Sequence, residues 1–359
     1  MYSGMADVAA ITGDSSYVRA IDRIWENIVG KKIYITGGIG ARHEGEAFGD
    51  NYELPNLTAY NETCAAIGNV YTNYRLFLLH GDAKYFDVLE RTLYNGLISG
   101  VSLDGGRFFY PNPLACDGKY RFNADHTITR QPWFGCACCP SNISRFIPSL
   151  PGYVYAVKDD KVYVNLFLSN RAKLKVNGKN VVLEQETSYP WNGDIRLTVA
   201  KGNQPFVMNV RIPGWVRGSV LPGGLYSYAD GEELAYRVSV NGQEVKGALQ
   251  KGYLSIDRRW KKGDVVEIHF DMQPRVVKAN DKVAADRGRV AIECGPLVYC
   301  AEWPDNDFDI STLLLNRHPK FQVVEHPDLL GGINEITTRA QALSYDATGR
   351  LAAKDVKLT

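Results

Sequence analysis

The sequence predicts a multidomain α + β protein, helical over residues 1–154 and built of antiparallel β-sandwich domains over 155–273 and 274–359. Two observations carry this. Apolar residues recur at helical spacing in the first part, and near Tyr153 the pattern changes to strict alternation between turn residues. Val18, Ile21, Ile24, Trp25 and Ile28 mark the first helix, with Asp14 or Ser15 as its cap and Gly30 as its stop. Lys32–Gly40 (KIYITGGIG) reads as a short extended run into a glycine-rich turn, and the polar Ala41–Pro55 stretch as a loop. Leu57–His80 is the next helical pattern, stopped at Gly81-Asp82. Ala83–Ile98 follows, with Phe86, Leu89, Leu93 and Leu97 on one face. Short links between long helices imply antiparallel neighbours, as in a bundle or an α/α ring. Phe108–Thr129 is aromatic and irregular; Ser141 then caps a helix through Ile143 and Phe146 that ends by Pro148 and Pro151. Beyond Tyr153, strands are expected at Lys161–Ser169, Lys173–Val176, Asp194–Val199, Phe206–Ile212, Arg237–Val240, Tyr253–Ile256, Val265–Phe270 and Val290–Cys300. Asn177-Gly178 is a hairpin signal.

A chain of 359 residues is long enough for two or three domains. Its formal net charge of +1, without a basic block, gives no footprint for nucleic acid. No apolar stretch is long enough to span a membrane. The start lacks the basic and apolar regions of a signal peptide, so a cytoplasmic location is expected.

The seven cysteines are an odd number, and Cys138 and Cys139 are adjacent, which makes a poor disulfide framework. Two readings are open. The cysteines are small buried hydrophobes, or they are thiolates holding a metal. In the second reading Glu62, Cys64, Cys138 and Cys139 form a Cys₃Glu tetrahedron around zinc. Residues two apart on a regular helix point in different directions, so Glu62 and Cys64 share an ion only if the helix is irregular there.

Several segments carry a resemblance: Tyr34–Gly40 (YITGGIG), Gly45–Gly49 (GEAFG), Tyr52–Asn56 (YELPN), Glu62–Gly68 (ETCAAIG) and Cys136–Asn142 (CACCPSN). Later come Arg211–Trp215 (RIPGW), Trp260–Asp264 (WKKGD) and Arg289–Tyr299 (RVAIECGPLVY). In order and spacing these are similar to the bacterial β-L-arabinofuranosidases of glycoside hydrolase family 127, a group related to family 146. The resemblance implies that residues 1–154 are the C-terminal part of an (α/α)₆ catalytic barrel, followed by β-sandwich domains. It implies an exo-acting, retaining glycosidase with a zinc-bound cysteine as nucleophile. Carried over by position, the Zn²⁺ ligands are Glu62, Cys64, Cys138 and Cys139; Cys138 is the nucleophile, Glu46 the general acid/base, and Tyr110 contacts the sugar. The chemistry is coherent: retaining hydrolysis needs a nucleophile opposite a proton donor, and metal coordination deprotonates a thiol that is otherwise mostly protonated.

The family's chains are longer, so the resemblance implies truncation at both ends, with sugar-binding histidines in the absent half. Part of a ring is expected to expose apolar helix faces or to pair with a second copy as a homodimer. The resemblance implies a β-L-arabinofuranosyl carbohydrate as partner, and neither nucleic acid nor membrane is expected. A zinc-stapled carbohydrate-binding or structural module is the alternative. A zinc hydrolase using metal-bound water is disfavoured by four protein ligands. His43 and His126 are read as structural or solvent-facing.

Overall fold

The computed structural model describes residues 1–345 and 348–359. Helices α1 (Tyr2–Thr12) and α2 (Ser15–Lys31) open the chain. The side chain of Asp14 caps α2 by accepting from the Ser16 N–H, one of the two residues the sequence offered for that role. The helix runs through Gly30 to Lys31.

Helix α3 spans Thr63–His80, six residues shorter at its start than the Leu57–His80 pattern. Residues 57–62 lie against the 108–112 loop instead. Thr63 N donates to Tyr110 O, and the Asn112 side chain donates to Asn61 O and Thr63 Oγ1. These tertiary bonds take backbone groups that a longer helix would have used. Helix α4 (Lys84–Arg91) passes into a π-helical turn at Thr92–Leu97 and a 3₁₀ turn at Ile98–Gly100, where a single helix was expected. The glycine-rich turn packs on this widened segment: Thr92 Oγ1 donates to Gly37 O and Gly96 N donates to Thr36 O. Gly37 has φ +80°, and a Cβ there would sit 2.5 Å from Thr92 Oγ1, so both conformation and space require glycine. Helix α5 is Cys138–Phe146, starting three residues before the expected Ser141 cap. The Ser141 hydroxyl donates back to Ala137 O from inside the first turn.

Helix α3 is central, packed against α1, α4, α5 and the π turn. Besides α1–α5, the described residues hold a one-turn helix at Pro151–Val154, fewer than the twelve of a complete (α/α)₆ ring. Val8, Ile11 and Leu78 are exposed on these helices. No described helix is long and apolar enough to cross a membrane.

Strands begin at Tyr155, as the change of period predicted. The described strands form four sheets. The first orders Tyr155–Lys158, Lys161–Val164, Asn203–Arg211 and Tyr253–Lys261. Its second and third strands pair in parallel, an exception to the antiparallel expectation. Parallel neighbours need a long connection, and here the intervening chain supplies strands of the second sheet. That sheet orders Asn170–Val176, Lys179–Thr187, Asp194–Lys201, Val265–Phe270, Tyr236–Val240 and Gln243–Glu244, all antiparallel. In the third, Tyr226–Tyr228 pairs with Pro274–Ala279, followed by Ala291–Cys294 and Leu297–Tyr299. The fourth is built around Ile333–Tyr345, which pairs with Leu313–Leu315, Gln322–His326 and Leu351–Leu358.

Helices and sheets share one apolar core that runs from Ala6 to Val283. Buried ions lock the two parts together. Arg211, fully buried on its strand, pairs with Asp87 at 3.0 Å and with Glu90, both on α4. Arg91 of α4 pairs with Glu293 at 2.6 Å.

Candidate metal and catalytic site

Two helix starts converge to build the site. Glu62 is the N-cap of α3, in extended backbone, and its side chain makes no cap bond, so the carboxyl is free to turn elsewhere. Cys64 follows within the first turn of α3. Cys138 and Cys139 open α5, which packs on α3. Pro140 stands third in that helix, where its missing N–H would have lacked a partner anyway. Because Glu62 lies before the helix, the directional conflict between Glu62 and Cys64 does not arise.

The Glu62 carboxylate oxygen and the sulfurs of Cys64, Cys138 and Cys139 all lie within 4.8 Å of one another. Glu62 Oε1 is 3.6 Å from Cys138 Sγ and 3.3 Å from Cys139 Sγ, and the two sulfurs are 4.0 Å apart. A zinc tetrahedron with ordinary bond lengths has edges of about 3.8 Å between sulfurs and about 3.6 Å between sulfur and oxygen. The separations among Glu62, Cys138 and Cys139 lie near those edges, and the four-residue donor set suits that ion.

The electrostatics agree. Burial raises the Glu62 carboxyl above its ordinary range. Burial pushes the Cys138 thiol up to about 12. Cys139 is raised by its hydrogen bond to Cys64 and by burial. Cys64 is lowered, chiefly because the Cys139 thiol donates to it. Burial at one place works against ionising the carboxyl and the thiols together, a cost that a bound divalent ion would offset. Helix N-termini on both sides favour the resulting negative charge.

Tyr110 Oη lies 2.7 Å from Cys138 Sγ and 3.9 Å from Cys136 Sγ. Its backbone N–H donates to Asn123 Oδ1, its ring meets Phe134 edge-on, and burial raises its phenol. Cys136 is exposed and stands outside the four-residue cluster.

Glu46 sits on the loop expected at 41–55, at the end of a 3₁₀ turn and with φ +48°. The loop is braced by an Arg42–Ala47 bridge and by Arg42 ion pairs to Glu53 and Asp50. Glu46 Oε1 accepts from Tyr60 Oη at 2.9 Å. The Tyr60 ring centroid lies 6.2 Å from that of Tyr110, so one tyrosine touches Glu46 and its neighbour touches Cys138. Sequence reasoning missed Tyr60 and Asn112. A helix drawn from Leu57 absorbed the first, and only the irregularity of the 108–129 segment hinted at the second. His43 stacks edge-on to Tyr60 at 4.9 Å and is exposed. His126 accepts from Arg121 through its carbonyl.

Comparison with known proteins gives a consistent result. Residues 2–152 match the β-L-arabinofuranosidase GH127 catalytic domain, 161–272 the GH127 middle domain, and 274–348 the glycoside hydrolase family 127 C-terminal domain. The chain is 37% identical, over 350 residues, to a non-reducing end β-L-arabinofuranosidase of Bifidobacterium longum subsp. longum; the match covers 93% of this chain and 50% of that protein. A solved GH127 β-arabinofuranosidase superposes with a TM-score of 0.96 at 74% identity, covering 100% of this chain and 55% of its own. A GH127 β-L-arabinofuranosidase from Geobacillus stearothermophilus T6 gives a TM-score of 0.91 at 39% identity, covering 100% and 56%. The chain thus spans about half the length of the relatives it matches.

Proposed function

The chain belongs to glycoside hydrolase family 127, and from that premise we propose that it is a retaining exo-glycosidase releasing L-arabinofuranose from β-L-arabinofuranosides. The observation that carries the reading is the Glu62–Cys64–Cys138–Cys139 cluster with Tyr110 on Cys138. Glu62, Cys64, Cys138 and Cys139 would hold zinc; when bound, the ion keeps the thiols deprotonated and makes sulfur a better leaving group.

Cys138 attacks the anomeric carbon, and as a half-buried residue beside fully buried Cys139 it suits that role. Glu46 donates a proton to the departing oxygen, then takes one from the water that releases the sugar. Tyr110 donates toward Cys138 sulfur and borders the sugar. Cys139 is fully buried and serves as a ligand alone. Residues 1–154 are read as part of an (α/α)₆ barrel, and residues 155–273 and 274–359 as β-sandwich domains. The change of element type at Tyr155 supports the first boundary.

Hydrolysis of an aryl β-L-arabinofuranoside, followed by proton NMR, tests the proposal. The first sugar formed should keep the β configuration. Inverted product, or no hydrolysis by metal-loaded protein, contradicts it.

A further inference from the structure

We propose that Tyr60 is the positioning residue of the acid/base: its hydroxyl holds Glu46 Oε1 and so reserves Oε2 for proton transfer in both half-reactions. The inference rests on the role proposed above for Glu46. Glu46 is exposed at the tip of a turn, where a carboxyl samples many rotamers. Among the described residues the side chain that hydrogen-bonds it is Tyr60, at 2.9 Å and itself 6% exposed.

Tyr60 itself is fixed from several sides. Its N–H donates to Ala41 O, its carbonyl accepts from Asn112 N, and its ring is edged by His43 at 4.9 Å. Asn61 N donates to Gly40 O at 2.8 Å, so the 60–61 segment is laced to the start of the Glu46 loop. The Asn112 side chain ties that same segment to Thr63, at the start of the metal-bearing helix. The Tyr60 hydroxyl thus links the acid/base to the frame that carries Glu62.

A phenol keeps its proton at neutral pH. It can donate to Glu46 Oε1 whether the carboxyl is protonated or not. In the first half-reaction the Oε2 proton passes to the leaving oxygen as the C1–O bond breaks and the Cys138 S–C1 bond forms. In the second, a water proton passes to Oε2 as the new O–C1 bond forms and the C1–S bond breaks. The sum is hydrolysis, with Tyr60 unchanged.

Tyr60→Phe keeps the ring and removes only the hydroxyl. The test measures kcat/KM on methyl and on nitrophenyl β-L-arabinofuranoside for the native protein, Tyr60→Phe and Glu46→Gln, with zinc content and thermal unfolding alongside. Expected for Tyr60→Phe is a loss of roughly tenfold to a hundredfold on the methyl glycoside, the rate equivalent of a hydrogen bond to a charged group. The loss on the nitrophenyl glycoside should be much smaller, with zinc content and unfolding unchanged. An equal loss on both substrates, no loss on either, or loss of zinc or fold overturns the inference. Glu46→Gln separates the two levels. If its losses do not depend on the leaving group, the acid/base reading fails. If they do and Tyr60→Phe is indifferent to leaving group, only the Tyr60 inference fails.

Discussion

Glu46 occupies left-handed backbone at φ +48°, as does Asn61 at φ +42° beside Glu62. Asparagine tolerates that region; glutamate does so at a cost of about 1–3 kcal/mol, and strain of this kind collects at functional sites. Cys138→Ser should abolish turnover, because an alcohol is a far weaker nucleophile than a thiolate, whereas exposed Cys136→Ser should keep most of it. Steady-state rates on an aryl substrate check both, and an active Cys138→Ser would remove the assignment. Glu46→Gln should slow substrates with poor leaving groups by about 10²–10⁴-fold and activated aryl ones far less; equal losses across a leaving-group series would argue against acid catalysis by Glu46. The cluster of Glu62, Cys64, Cys138 and Cys139 was foreshadowed by two short motifs, left open by their spacing and paired by the family resemblance. Tyr60 was not, because Leu57, Ala59 and Ala66 extend an apolar pattern backwards across a segment that tertiary hydrogen bonds hold out of the helix.

Among the elements, α4 carries the connection between helices and sheets. Asp87 and Glu90 face Arg211, Asp87 also pairs with Arg217 at 2.8 Å, and Tyr189 Oη donates to Glu90 at 2.9 Å. Burial raises the Glu90 carboxyl, and Arg211 opposes that shift. Removing one partner of such a buried set leaves uncompensated charge. Arg211→Met should therefore cost about 3–5 kcal/mol in denaturant unfolding. A cost under about 1 kcal/mol would show that the pairs contribute little. The sequence marks Arg211 only as the first residue of a motif, since pairing over more than a hundred positions leaves no local signature. Strands were legible where one face is buried: Ile195, Leu197 and Val199 are at most 2% exposed and alternate with less buried residues. The parallel pair was not legible, because alternation fixes a strand's faces and says nothing of its neighbours.

For the molecule as a whole, the Glu62–Cys64–Cys138–Cys139 cluster joins two helix starts inside a core shared by helices and sheets. One zinc per chain is expected, with an absorption spectrum fitted by three sulfurs near about 2.3 Å and one oxygen at about 2.0–2.2 Å. A spectrum without a sulfur shell would contradict the ligand set. Stripping the ion with a chelator should lower the thermal midpoint, because only the folded chain gathers the four ligands, and restoring zinc should reverse the loss. An unchanged midpoint would mean that the site binds no metal of consequence. The most direct test of the central claim is covalent labelling. Metal-loaded protein is treated with a β-L-arabinofuranose-like electrophile that bonds to the nucleophile, and the modified peptide is located by mass spectrometry. The account predicts label on Cys138, blocked by Cys138→Ser. Label on Glu46 or another carboxylate, with Cys138→Ser still turning over, would make the enzyme an ordinary two-carboxylate glycosidase and the metal a structural staple.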